Sequence, residues 1–259
     1  ATSLPEPRAL ISVVGGGGMA DKYFVPMKAH AALEFSRGFA RAAQATSAWV
    51  MTGAISGKGA HRLVGGSLHE APSVACLGVA PWVQVEQRDD IMRHSGRGVC
   101  TLTTGHSSAA SGKAVGYYDR LLPDIAPGAT EKVLEPRVSH FLFADGGNGS
   151  SPTAHADELR RAVEAMVSPP QAGAGSVQRP GAPGAVRAHD EGGRGGESGY
   201  ACPMVLVVLG GGVDVLRAVQ HALRDERPVV VIPECGYAGA DIADMIDDSL
   251  ANNALPASF

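Results

Sequence analysis

The feature that most constrains this chain is a repeated unit: a short apolar run, a glycine-rich break, then a longer stretch with apolar residues three or four apart. A run of four to eight aliphatic and β-branched residues suits a strand buried on both faces, and spacing near 3.6 suits a helix with one apolar side. Parallel strands need a crossover, which a helix supplies, so the alternation predicts βα units on a parallel sheet. The runs predict strands at Ala9–Val14, Ala48–Thr52, Ser73–Val79, Ser139–Ala144, Met204–Leu209 and Pro228–Ile232. Helices are predicted at Ala29–Ala45, Ala60–Leu68, Ala154–Val167, Val213–Arg224 and Ala240–Ser249. The expected class is α/β, doubly wound, with 1–259 forming a single domain.

Composition narrows the function. Aromatic residues make up 5% while Ala, Gly and Val abound, so the core must be close-packed from small side chains. A net charge of −4 leaves no basic field to neutralise phosphates, and nucleic acid is disfavoured as a partner. Cys76, Cys100, Cys202 and Cys235 stand far apart with no C-x-x-C pair, which disfavours a zinc site or a disulfide framework and fits reduced thiols. No run approaches the roughly 18 apolar residues of a membrane span, and ATSLPEPR lacks the layout of a signal peptide. Any membrane part of the protein is expected outside this chain.

Two stretches break the pattern. Ser168–Tyr200 is rich in Gly, Pro and Arg with almost nothing apolar to repay the entropy of ordering, and is expected to be a disordered insertion within the domain. Gln84–Leu134 carries mixed signals and is expected to be a long excursion.

Three predicted strands end in glycine breaks, at Gly15, Gly16, Gly17 and Gly18, at Gly53 through Gly57, Lys58 and Gly59, and at Gly210, Gly211 and Gly212. In open α/β sheets ligands bind at the carboxyl edge of the strands, so three such turns on one edge predict a pocket there. The first turn either presents amide donors to a phosphate or lets strand and helix pack closely. It satisfies a dinucleotide fingerprint loosely, but no acidic residue ends the second strand, where Thr52 precedes Gly53. The second break is one residue short of G-x-x-x-x-G-K-[ST], and Gly59 replaces the hydroxyl that would hold Mg²⁺, which disfavours a hydrolytic P-loop. Lys58 either faces an anion or is solvated. Asp145, with Gly146 after it, either binds a ribose hydroxyl or caps its turn. No metal-ligand spacing or nucleophile elbow is found, and His140 is expected to be a hydrogen-bonded packing residue rather than a base.

Residues in these blocks resemble a known family. ISVVGGGG (11–18), FSRGFARAAQATSAWVMTGAISGKG (35–59), CLGVAPW (76–82), RDDIM (88–92), LEPRVSHFLFADGGNG (134–149), DELRRAVE (157–164), VLVVLGGGVDVLRAV (205–219) and RPVVVIPECGYAGADIADMI (227–246) are similar, in order, to the SLOG domain of melastatin-type TRP (TRPM) cation channels, within the LSDAT/LOG-like superfamily. The resemblance implies a Rossmann-like, mostly parallel sheet with helices on both faces, in a cytoplasmic domain that binds adenosine diphosphate ribose or a related nucleotide and couples it to gating. It implies ligand contacts at Gly15, Gly16, Gly17, Thr52, Gly53, Asp145, Gly146, Arg160, Gly211 and Gly212; Gly57, Lys58, Gly236 and Tyr237 are added from the neighbouring turns. It also implies that the remainder of a channel polypeptide, homotetrameric in full length, is the partner.

Two departures accompany it. Ligand-binding members carry a Tyr before the helix of Arg160, where this chain has Ser151, Pro152 and Thr153, and an Arg in the turn that here reads Cys235, Gly236, Tyr237, Ala238. Adenosine diphosphate ribose is therefore expected to bind weakly or to give way to another nucleotide. The superfamily's phosphoribohydrolases end their glycine loop in a catalytic Glu; aligned on Gly211 and Gly212 that position is Ala218, so no enzyme activity and no catalytic residue is expected. A free-standing nucleotide-binding or nucleotide-processing protein and an assembly module with an empty pocket are the alternative readings. Limited proteolysis is expected to cut first within Ser168–Tyr200, and shortening that stretch is expected to leave the domain folded; resistance to protease there would contradict the reading.

Overall fold

The computed structural model describes residues 4–16, 23–55, 59–85, 88–94, 134–135, 137–145, 152–169 and 202–251. Six strands, β1 (Ala9–Gly15), β2 (Ala48–Gly53), β3 (Cys76–Pro81), β4 (His140–Ala144), β5 (Met204–Leu209) and β6 (Val229–Ile232), form one sheet in the order β4-β3-β2-β1-β5-β6. Every pairing is parallel, with Leu10 opposite Met204 on one side of β1 and Ala9 opposite Ala48 on the other. The helices are α1 (Ala29–Ala45), α2 (Ala60–Ser67), α3 (Arg88–His94), α4 (Pro152–Val167), α5 (Val213–Arg224) and α6 (Tyr237–Ala251). The α/β, Rossmann-like expectation is met.

The apolar runs explain the layers. Successive residues of a strand point to opposite faces, so Ile11, Val13, Val50, Val207 and Leu209 pack beneath α1 and α2. Leu10, Met51, Leu77 and Met204 face α4, and Val14, Leu206 and Val208 meet Val215 and Val219 of α5 and Ile242 of α6. Each such fully buried side chain is worth roughly 1.5–3 kcal/mol, which is why the strands read as continuous hydrophobic runs.

One polar pair interrupts the second face. Ser12 on β1 is fully buried and donates from Oγ to Oε1 of Glu164 on α4 at 2.5 Å. This bond ties α4 to the central strand.

Several boundaries differ from the sequence expectation, each for a local reason. β3 starts at Cys76 rather than Ser73 because the Val74 N–H turns back to Ala71 O at 3.0 Å. α2 ends at Ser67, and Leu68 opens a 3-10 turn. α4 starts at Pro152, whose fixed φ and missing N–H suit the first helical position. α6 starts at Tyr237 because Gly239 lies within its first turn, where a Cβ would crowd Ile232 O and Gly210 N at 3.1 and 3.2 Å. His140 bonds to Ser139 Oγ at 2.9 Å but is exposed, so it is no packing residue. Within Gln84–Leu134, 88–94 is helical and Leu134 bridges to Ile55; residues 95–133 and 170–201, with most of the expected insertion, lie outside the described residues.

Ser12→Ala is expected to cost about 1.5–3 kcal/mol, since it strips a buried carboxylate of a donor. His140→Ala on the surface should stay within about 0.5 kcal/mol of the parent. Urea denaturation of both at pH 7 checks the contrast.

Candidate functional site

Strand order reverses at β1: the chain first builds outward through β2, β3 and β4, then returns to place β5 and β6 on the other side. Helices leaving either side of a reversal diverge and open a crevice at the carboxyl edge. A cleft of about 340 Å³ lies there, walled by the ends of β1 and β2, the start of α5 and one side of α4. Of the residues expected to bind ligand, Gly15, Gly16, Thr52, Gly53, Arg160 and Gly212 line it.

The others fall elsewhere. Gly211 is buried with a φ of 93°, and a Cβ on it would strike the Val215 side chain. Gly236 and Tyr237 flank the cleft at the start of α6 without lining it. Asp145 is exposed at the end of the edge strand β4, outside the lining. Gly17, Gly57, Lys58 and Gly146 lie outside the described residues.

Much of what the glycines do is make room for protein. A side chain at Gly15 would collide with Leu209 O and the Ala60 methyl, and Ala60 N–H reaches Gly16 O at 2.8 Å, so α2 starts hard against β1. Gly53 makes way for the imidazole of His61, which would meet any Cβ there.

Arg160 owes its place to α4. Its guanidinium lies 3.8 Å from Glu164 Oε1 and 3.9 Å from Asp157 Oδ1, and its side chain is 11% exposed. Glu164 is in turn held by Ser12, so the sheet fixes the cation through this one carboxylate, and Asp157 adds an ion pair from within the helix. Arg160 Nε is buried and makes no hydrogen bond among the described residues. Asp157 has its carboxyl pushed up, chiefly by burial, against the pull of Arg160. Asp214, in the first turn of α5, adds a second carboxylate to the lining.

His61 was not singled out by the sequence reading. It sits in the first turn of α2, two residues past Gly59, and its Nδ1 accepts from Gly53 N–H at 3.1 Å with Thr52 Oγ1 at 3.0 Å. A backbone N–H can only donate, so Nδ1 is the bare nitrogen and the proton of the neutral ring is on Nε2. Burial, aided by the Arg160 charge, lowers its pKa to about 4. Tyr23, Asp157 and Asp214 were also missed, and only a helix-start position hinted at His61 and Asp214.

Other chemistry is sparse. Among the described residues no group of three His, Cys, Asp or Glu is placed to hold a metal, and no helix is long and apolar enough to cross a membrane. Cys76 and Cys235 are free thiols pushed up to about 12, mainly by burial, and so are poor nucleophiles. Cys100 lies outside the described residues.

The unfolded His61 takes up a proton near pH 6.5 and the folded one only near 4, so its contribution to stability is present above pH 6.5 and is lost as pH falls through that window. Between pH 7 and 5 the loss should be on the order of 2 kcal/mol. His61→Asn, whose side-chain oxygen can still accept from Gly53, should lack this portion of the pH slope in urea denaturation.

Comparison with known proteins agrees with the fold. The family profile LSDAT_euk, described as SLOG in TRPM, matches residues 1–256. Similar proteins include the transient receptor potential cation channel subfamily M member-like 2 of Nematostella vectensis, 25% identical over 97% of this chain and 14% of its own length. The channel trpm of Drosophila melanogaster is 26% identical over 89% and 9%, and subfamily M member 4 of Rattus norvegicus 24% over 95% and 17%. The chain thus spans less than a fifth of the length of these relatives. The parallel sheet and a profile match along nearly the whole sequence lead to one conclusion: this chain belongs to the LSDAT family, the SLOG domain of TRPM channels.

Proposed function

We propose that the domain is a cytosolic ligand sensor, which binds a nucleotide of the adenosine diphosphate ribose kind in the cleft and passes the occupied state to a cation channel, homotetrameric in full length, of which it is part. The observation that carries this reading is Arg160: a cation held in the wall of the switch-point cleft whose buried Nε makes no hydrogen bond among the described residues. Its nearest carboxylate oxygen, on Glu164, lies at 3.8 Å, beyond hydrogen-bond distance, so this buried donor is left short of an acceptor that a ligand's anionic oxygen can supply. The α2 and α5 N-termini, at Ala60 and Val213, add positive dipole ends at the same edge. Asp157 and Asp214 are acceptors suited to ribose hydroxyls.

Hydrolysis is not part of the proposal. Ala218 lines the cleft on α5 with no carboxylate to offer, and His61 spends Nδ1 on the backbone. Ligand binding can act at a distance only if two global states bind the ligand differently, and in this reading the rest of the channel polypeptide supplies the second state.

A second reading, an assembly module that binds nothing, draws support from charge: two carboxylates face the cleft with one arginine. Calorimetric titration of the purified domain with adenosine diphosphate ribose, ADP and AMP separates the two. Arg160→Gln is expected to weaken the tightest of them about ten- to a hundredfold, the effect of one charge-assisted hydrogen bond. Arg161→Gln, exposed on the same helix, should leave affinity unchanged. No heat with any of the three would favour the assembly reading.

A further inference from the structure

We infer that Tyr23, backed by Tyr237, is the platform on which an aromatic base stacks at the mouth of the cleft. This rests on the nucleotide reading above and adds the place where the base lies. Tyr23 is the one tyrosine, phenylalanine or tryptophan among the described lining residues; the α4 wall offers Thr153, Ala156, Asp157 and Arg160, and the His61 ring is committed to Gly53. The rings of Tyr23 and Tyr237 meet edge to face, 5.6 Å apart at 89°. Next to Gly212, Val213 at the first position of α5 lines the cleft and is 64% exposed. A flat ring and an exposed aliphatic group at one lip are suited to a base, because stacking needs only a π face and displaces water from both partners.

Positive φ angles gather where this lip is built, and one of them, at Tyr237, is strained. Six described residues have positive φ, and Ser47 and Glu226 take it just past the ends of α1 and α5, where left-handed residues ordinarily close a helix. The other four are Tyr237 itself and Gly210, Gly211 and Gly236, which lie in the loops that hold the tyrosine pair. Tyr237 holds a φ of 51° at the start of a helix, a conformation disfavoured for a bulky side chain. Tyr23 is fixed from the main chain: its carbonyl accepts from Gly211 N–H at 2.7 Å and lies where a Cβ on Gly16 or Gly210 would collide, at 2.6 and 2.8 Å. Val25 N–H reaches Cys235 O at 2.9 Å, and Ala238 N–H reaches Gly211 O at 3.0 Å. Three loops are thereby knitted into one support, and the Tyr23 ring is set beside Gly212, where a Cβ would touch it at 3.4 Å. A ring held rigidly by its main chain, with a strained residue retained beside it, suits a preorganised binding surface.

The test compares a probe with a base, ADP, and one without, inorganic pyrophosphate, titrated calorimetrically against the parent, Tyr23→Phe, Tyr23→Leu and Tyr237→Gly. Tyr23→Leu is expected to weaken ADP about tenfold or more and to leave pyrophosphate unchanged, while Tyr23→Phe keeps both. Tyr237→Gly, relieved of its positive φ, should have an unchanged or higher thermal midpoint together with weaker ADP binding. Full ADP affinity in Tyr23→Leu, or equal losses for ADP and pyrophosphate, would overturn the platform while leaving the cleft as a nucleotide site. A lower midpoint with unchanged ADP affinity in Tyr237→Gly would make that residue purely structural and also overturn its part. If neither probe binds the parent protein, the platform and the nucleotide reading fall together.

Discussion

Everything at this site depends on β1 having a parallel partner on each side. With β2 and β5 both in register with it, the crossovers must leave the carboxyl edge in opposite directions, and the helices they feed cannot close over the strand they share. The cleft is therefore a consequence of strand order. The close approach at Gly15 sets its floor, because the first turn of α2 can sit against β1 only if nothing projects from that residue.

Buried polar groups then give the cleft its character. The Ser12–Glu164 bond places a carboxylate inside an otherwise apolar layer, and a buried carboxylate needs partners; Ser12 satisfies it from the sheet and Arg160 from its own helix. Arg160 is thus directed by the core rather than by a flexible stem. On the facing wall the same economy of partners keeps His61 neutral, since its Nδ1 is occupied by a backbone donor and a protonated ring would stand near the guanidinium. One wall carries Arg160 paired with carboxylates, the other is polar and uncharged, and Tyr23 adds an aromatic ring to the lining.

The layout of βα units was plain from the chain because apolar runs of strand length, glycine breaks and helical spacing are local signals. Four glycines and one threonine of the expected site, Gly15, Gly16, Gly53, Gly212 and Thr52, reached the cleft for that reason: each lies at the carboxyl end of a strand, or just past it. Arg160 reached it by resemblance, not by any local pattern. Asp145 follows a strand as well, yet β4 is an edge strand, with β3 and β2 between it and the reversal at β1. Tyr23 and Asp157 carried no signal and His61 only its place at a helix start, since a lone His, Tyr or Asp is ordinary until something is packed against it.

The amino-acid sequence by itself determined the class of the fold, the six described strands, the edge of the sheet on which the cleft opens, and the absence of a carboxylate at Ala218, all of which follow from residue type and short-range spacing. Only the tertiary structure decided the strand order, the coupling of Ser12 to Arg160 across 148 residues of chain, the tautomer of His61 and the pairing of Tyr23 with Tyr237. These depend on which surfaces meet. Contacts between residues far apart in sequence are selected by the packing of the whole sheet with its helices, and no local window of residues encodes that selection.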